Sequence, residues 1–480
     1  MRRTCRFVAV FLMTAAACPP LVMAHESPAD QAREVEALRR RVDELERVLR
    51  ELQSGQQQRS APHGVAPVAE EAPAAGAGTA TDRAEPAAAP AVAAKTAAVV
   101  GYEDGFFLKS GDGDDELKLN GFVHADSRFF PGDDPENDQF FIRRARIDIR
   151  GKVAKRFSFR LTPDFAGSTL TLFDASLDVK FAPWLVLRLG KTKTPFGLER
   201  LQSSTDLVLI ERSLVDNLVP NRDVGVMLHG EAGGGIAEYA AAVFNGTADG
   251  SSGDTNPNDG VDVVARLFLR PFRNMDVEAL HGLGFGVAGT YGREQGSASS
   301  AQLGRHRTSS RVVFFRYASA SDAPFFTAAI ASGDRWRLSP QGHYYFGPFG
   351  LLGEYVVSSQ EIAGAARATA TNDAWQVQAS YVLTGEDASY KGIEPENDFD
   401  FGDGGWGAWQ IALRYAGLEA DGDLVARGLA VGARTADTVT AGLNWHLNSN
   451  VALYLNYEHT EFRRPRGQED VILSRAQFAF

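Results

Sequence analysis

From about Glu116 to Phe480 the chain alternates apolar and polar residues in short segments punctuated by Gly, Asn, Asp and Pro, the period of β-strands with two unlike faces. Between Arg144 and Arg150, residues Ala145, Ile147 and Ile149 share one face, whereas Arg144, Arg146, Asp148 and Arg150 share the other. Phe157, Phe159 and Leu161 alternate with Ser158 and Arg160. Phe173, Ala175, Leu177, Val179 and Phe181 alternate with Asp174, Ser176, Asp178 and Lys180. Late in the chain Trp375, Val377, Ala379 and Tyr381 oppose Gln376, Gln378 and Ser380, and Trp409, Ile411, Leu413 and Tyr415 oppose Gln410 and Arg414. A soluble sandwich would also alternate. Aromatic residues, however, recur at segment ends, as at Phe181, Trp184, Trp409, Tyr415 and Tyr457, which matches the girdles of membrane barrels. No apolar run reaches the roughly 18 residues a spanning helix needs, so a closed β-barrel is the remaining way to cross.

Counting candidate segments gives an all-β protein with about sixteen antiparallel transmembrane strands, both ends of the barrel on the periplasmic side. Pro183-Trp184, Gly233-Gly234-Gly235, Gly347-Pro348 and Asn448-Ser449-Asn450 read as periplasmic turns, and Gly246–Gly260 and Arg293–Asp334 as extracellular loops. Gly385–Gly405 fits badly, because parity puts this long acidic stretch on the periplasmic side. The final Gln477-Phe478-Ala479-Phe480 resembles the signal read by the barrel assembly machinery.

The segments before the barrel have other characters. Residues 1–24 read as a signal peptide: Arg2, Arg3 and Arg6, an apolar core from Phe7 to Ala17, then Val22-Met23-Ala24. A lipoprotein reading, with Cys18 acylated, stays open. Cys5 and Cys18 are the only cysteines, so cleavage at Ala24 leaves none for disulfides, thiol catalysis or thiolate metal sites. Residues 25–53 read as a short periplasmic coiled-coil helix, with Val35, Leu38, Val42, Leu45, Leu49 and Leu52 at a and d and the opposite charges Glu34/Arg39 and Arg41/Glu46 at g and e. The alternative is a lone amphipathic helix. Residues 54–100, dominated by Ala, Pro, Gly and Gln, read as a disordered linker spanning on the order of 40 Å relaxed. Residues 101–480 form the barrel domain.

One stretch breaks the alternation. Leu185, Leu187 and Leu189 end a strand-like pattern, and about 30 residues follow with Pro195, Gly197 and Pro220 as breakers but with the apolar run Leu207-Val208-Leu209-Ile210. Such a loop must fold back onto something. Folded into a barrel lumen, the segment at about 193–222 would narrow the pore and line it with Lys191, Lys193, Arg200, Arg212 and Arg222; as a surface loop it would hold short ion pairs such as Glu211 with Arg212. Arg144, Arg146, Arg150, Arg160 and Arg188 fall on predicted lumen faces, where Asp148, Asp174 and Asp178 are available as salt-bridge partners. Arg305 and Arg307 read as residues of a distal outer loop.

The net charge of −12 does not decide what such a pore would pass, since acidic loops such as Asp112–Glu116 and Asp398–Asp403 lie away from the predicted constriction. Enzyme chemistry is not expected. Gly284-Phe285-Gly286-Val287-Ala288-Gly289 matches a dinucleotide fingerprint by letter but lacks a helix after it. No His pair has zinc spacing and no serine sits in a nucleophile elbow, although a barrel lipase with a dispersed Ser, His and acid remains an alternative. Asp398, Asp400 and Asp403 read as a solvated acidic loop, with calcium binding as the alternative. No cofactor and no metal are expected.

The run from Leu189 through Lys191-Thr192-Lys193-Thr194-Pro195-Phe196-Gly197 to Asp206, then Glu211-Arg212-Ser213 and Val219-Pro220-Asn221-Arg222-Asp223-Val224-Gly225, resembles the phosphate-selective porin O/P family of outer-membrane channels. So do Leu338-Ser339-Pro340-Gln341 and Gly347–Tyr355. The resemblance covers the whole barrel. It implies a homotrimer of sixteen-stranded barrels whose third extracellular loop folds inward, with an arginine and lysine ladder guiding small anions, phosphate or polyphosphate among them. The alternatives are a general or cation-preferring porin and a structural anchor with a plugged barrel. The expected location is the outer membrane of a Gram-negative bacterium. Expected partners are outer-membrane lipids, two further copies of the chain, small anionic solutes, the barrel assembly machinery and, through the coiled coil, the cell wall; no nucleic acid is expected.

Overall fold

A computed structural model describes residues 98–480, apart from 133–135, 324–325, 403 and 464–466. The signal peptide, the coiled coil and most of the linker lie outside the described residues. The strand Val99–Tyr102 starts two residues inside the segment read as linker and forms a hairpin with Phe106–Lys109.

Among the described residues sixteen antiparallel strands follow one another around a closed ring. Each pairs with its neighbours in chain order, and the first, Glu116–Phe129, pairs with the last, Gln468–Ala479, from Phe129↔Ile472 to Phe122↔Ala479. Closure leaves no unpaired edge. The two-residue period sorts the faces: Leu189 pairs with Leu177 and Val226, all three exposed on the outer wall, while one residue on Arg188 pairs with Asp178 on the inner wall. The outer wall stays apolar around the ring, as at Leu267, Val287, Leu351, Val377, Leu413 and Leu455. The inner wall is polar and ion-paired.

The two ends of the ring differ. At one, turns are tight: Pro183-Trp184, Gly233–Gly235, whose three glycines all take positive φ, Gly347-Pro348 and Asn448–Asn450. Tight turns mark the periplasmic end of such barrels. Phe480 lies there, exchanging two backbone hydrogen bonds of 2.9 Å with Gly121. The stretch from Gly385 to Gly405 is also at this end and divides in two. Its first part reaches into the lumen, where Tyr390 stacks on His343 at 5.4 Å; its second lies against the rim, with Phe399 4.8 Å from Trp445. At the opposite end several connections are long. Arg305–Arg307, Val313–Tyr317 and Ala430–Gly432 make a separate three-stranded sheet. Its Phe314, Phe315 and Tyr317 bury with Leu424 and Leu429 against Leu214, Val215 and Leu218 of the segment 194–221.

Candidate functional site

The segment 194–221 connects two paired strands, with Lys193 opposite Arg222 in register, and its contacts lie on other walls of the ring. Pro195-Phe196-Gly197 starts it, with Gly197 at φ 76 where a Cβ would come within 2.7 Å of Val219. One helical turn, Leu198–Leu201, follows, and its first amides donate to Glu354: Leu198 N–H at 2.6 Å and Glu199 N–H at 3.3 Å. At the other end of that turn, carbonyls without helical partners accept from cations. Lys193 Nζ donates to Leu201 O (3.0 Å) and Gln202 O (2.8 Å), and Arg212 to Glu199 O (3.0 Å) and Gln202 O (2.9 Å).

The run Leu207–Ile210 is buried, none of its residues above 7% exposed. Each side chain so covered contributes roughly 1.5–3 kcal/mol. Its backbone is satisfied by wall amides: Asn444 donates to Val208 O at 2.7 Å, and Ile210 N–H donates to Asn456 at 3.1 Å. Glu199, inside the segment, accepts from Ser213 N–H (2.9 Å) and Gln376 (3.0 Å) and pairs with Arg414 at 3.3 Å, tying both arms of the loop to the wall. Tyr390 donates to Leu198 O at 2.5 Å, and Gln202 donates to Tyr390 O at 2.8 Å, so the loop is held from its periplasmic side as well.

A cavity of about 430 Å³ lies against the outer side of this loop, lined among the described residues by nine arginines and three carboxylates. The wall strand Gln139–Val153 contributes Arg143, Arg144 and Arg146; the loop contributes Arg200 and Arg212; Arg222 follows it. Arg305, Arg307 and Arg311 descend from the outer sheet and its turn. The carboxylates are engaged: Glu211 with Arg143 at 2.5 Å and Arg144 at 3.3 Å, Asp216 with Arg200 at 2.5 Å, and Asp249 with Arg337 at 2.6 Å. Among the described residues Arg212, Arg305, Arg307 and Arg311 have no carboxylate partner within ion-pair distance. The charge of Arg143, with burial second, pulls the Arg311 guanidinium down to about 10. Burial pulls Arg200 down to about 10 as well, against the attraction of Asp216. Burial would raise Glu211, but the charges of Arg143 and Arg144 outweigh it and hold this carboxyl well below its usual range. A second cavity, about 710 Å³, lies on the tight-turn side, lined by Arg160, Arg188, Lys193 and Arg266 together with Asp174, Asp178, Glu231 and Glu238.

Of the ten residues singled out from the sequence, Arg144, Arg146, Arg200, Arg212 and Arg222 line the upper cavity, and Arg160, Arg188 and Lys193 the lower. Lys191 lines neither; its ammonium donates to Leu172 O at 2.7 Å and pairs with Asp254. Arg150 lines neither and pairs with Asp148. The other wall arginines are also paired: Arg146 with Asp164 (2.7 Å), Arg160 with Asp148 (2.8 Å) and Arg188 with Asp178 (2.7 Å). Arg222 pairs with Asp174 at 3.2 Å. Glu211 turns to the wall arginines rather than to Arg212. Arg305 and Arg307, read as distal, are in the upper cavity because the outer sheet folds down onto the loop.

Strict alternation also missed two residues. His124 faces Arg144 and Ala125 faces Ile142, so Arg143 is an extra residue at a β-bulge, and both adjacent arginines reach Glu211. The doubled arginine was the available signal, since alternation would leave one of them in lipid, at about 2–4 kcal/mol near the midplane. Likewise Thr162 faces Asp174 and Pro163 faces Leu172, so Phe173 is bulged and lines the cavity instead of joining the outer face.

A closed sixteen-stranded barrel with an apolar outer wall, a polar lumen and a wall-anchored loop between two cavities is the architecture of an outer-membrane porin. The model of the family Phosphate-selective porin O and P matches residues 117–480, and the chain belongs to this family. It is 24% identical over 421 residues to Porin O of Pseudomonas aeruginosa, covering 80% of this chain and 92% of that one. Among solved structures it is similar to the outer membrane channel DcaP of Acinetobacter baumannii, with TM-score 0.50, 13% identity and coverage of 78% and 99% of the two chains. It is equally similar to Salmonella typhi OmpF, with TM-score 0.50, 13% identity and coverage of 80% and 100%. At such identity these two structures show a shared fold.

Proposed function

We propose that the protein is an anion-preferring diffusion channel of the outer membrane that admits phosphate. One observation carries this reading: among the described residues, nine arginines against three already engaged carboxylates line a cavity beside the inward-folded loop, with four of the arginines lacking a carboxylate partner there. Passage requires fixed donors that replace part of an anion's hydration and still release it. Guanidinium forks do so in pairs for a tetrahedral oxyanion. Lys193 and Arg212 spend hydrogen bonds on the loop backbone, so both shape the constriction, and the Arg212 guanidinium adds positive potential there. The name Porin O/P supports phosphate as a solute at the level of the family. We further read the functional unit as a homotrimer joined through barrel walls, with residues 25–53 as a parallel coiled coil in the periplasm, where tethering raises its local concentration. The test is block of single-channel chloride current by added phosphate. Phosphate in the millimolar range should reduce the current of one trimer in three steps and should do so less for Arg212→Gln. Chloride current indifferent to phosphate would remove phosphate as a bound solute.

A further inference from the structure

The upper cavity is polar, and among its described lining residues Phe173 and Leu303 are the only large apolar side chains. Phe173 is there because the bulge after Thr162 turns it out of the lipid-facing row formed by Ala175, Leu177 and Val179. The ring is not core packing: it is only half-buried and opens onto an aqueous space.

Two guanidinium groups lie on this ring. The Arg146 Cζ is 3.8 Å and the Arg222 Cζ 4.6 Å from its centroid. Two positive charges sharing one ring are necessarily less than roughly 9 Å apart, about one Debye length in physiological salt, so they repel unless something between them is negative. The π-face of a phenyl ring supplies that. The in-plane edges of the same groups are fixed by the wall and by the end of the loop: Arg146 Nε donates to Asp164 at 2.7 Å, and Arg222 donates to Asp174 at 3.2 Å and 3.4 Å and to the loop's Asn221 at 2.9 Å. With one edge held by carboxylate and the face held by the ring, the orientation of each fork is determined.

The geometry points to Phe173 as the positioning residue of the constriction, holding Arg146 and Arg222 flat and side by side so that their remaining N–H groups form one paired donor surface for a passing oxyanion. This rests on the anion-channel reading. Carboxylates alone would fix each guanidinium's edge but leave its plane free to swing about the side-chain axis.

The test compares Phe173→Leu, which keeps an apolar side chain of similar bulk, with Phe173→Tyr, which keeps the ring, in planar bilayers under a potassium chloride gradient. Heat resistance of the folded barrel on gel electrophoresis checks assembly. Phe173→Tyr should retain the wild-type ratio of chloride to potassium permeability, and Phe173→Leu should lower it by about two- to fivefold. Phe173→Met serves in the same role if the Leu protein does not assemble. In a wild type that prefers chloride, an unchanged ratio for Leu or Met, or an equal loss for Tyr and Leu, overturns the role of the ring and leaves the channel reading standing. A wild type that prefers potassium overturns both.

Discussion

Arg212 and Arg188 are both lumen arginines, yet their surroundings give them different work. Arg188 is matched by Asp178 in a two-point pair, so its field is largely cancelled at a distance. Arg212 spends its donors on carbonyls and keeps its charge. Arg307 shares that cavity and has no carboxylate partner among the described residues, so Arg307→Glu should shift the reversal potential toward potassium about as far as Arg212→Glu does. Arg427→Glu, on an exposed outer position away from both cavities, should leave it unchanged. The differences should shrink in molar salt, where the Debye length falls to about 3 Å. Equal shifts at all three positions would mean that place in the pore does not matter. The pH response follows from the same residues. No histidine lines the upper cavity among the described residues, Glu211 is held ionised by Arg143 and Arg144, and burial keeps the nearby His306 at about 4, hence neutral. Arg200 and Arg311, near 10, stay charged. Reversal potential should therefore be flat from pH 5 to pH 8, and a step inside that range would mean that a group outside the upper cavity sets the field.

The loop 194–221 is the element on which the site depends. Its apolar run Leu207–Ile210 was the part legible in the sequence as needing a surface, and Asn444 and Asn456 supply the polar edges of that surface. What alternation could not give was facing. Bulges at Arg143 and Phe173 add one residue each and reverse the rule locally; the doubled arginine hinted at the first, whereas nothing in a two-residue period announces the second. The outer loop posed the opposite problem: Arg305 and Arg307 look distal along the chain, and only the burial of Phe314 and Phe315 against Leu214 and Val215 brings them down. Gly385–Gly405 was placed at the periplasmic end by parity against its composition, and the structure keeps it there by turning Tyr390 inward and Phe399 onto the rim. An anchor of the loop can be removed singly. Glu354→Ala withdraws the acceptor for the Leu198 and Glu199 amides, leaving buried donors at about 1–3 kcal/mol. Open-channel current noise should rise and mean conductance increase, while barrel heat resistance falls little. Quiet channels of wild-type conductance would show that Glu199, Lys193 and Tyr390 hold the loop without Glu354.

At the scale of the molecule, strand number, alternation and the placing of tight turns were readable because lipid imposes one rule on every strand: apolar outward, satisfied backbone, no edge. Closure is completed by Phe129↔Ile472 through Phe122↔Ala479 and by the two hydrogen bonds between Gly121 and Phe480. Since the ring needs nothing before Glu116, deleting residues 25–97, which spares the hairpin at Val99–Lys109, should leave channels that still open in threes; single-channel recording of that truncation checks it, and loss of all conductance would place the structural centre in the N-terminal segments. The most direct test of the central claim is the zero-current potential of the wild-type protein in a tenfold potassium chloride gradient at low ionic strength. The arginine-lined constriction predicts a potential displaced toward the chloride equilibrium value. A potential displaced toward that of potassium would contradict it.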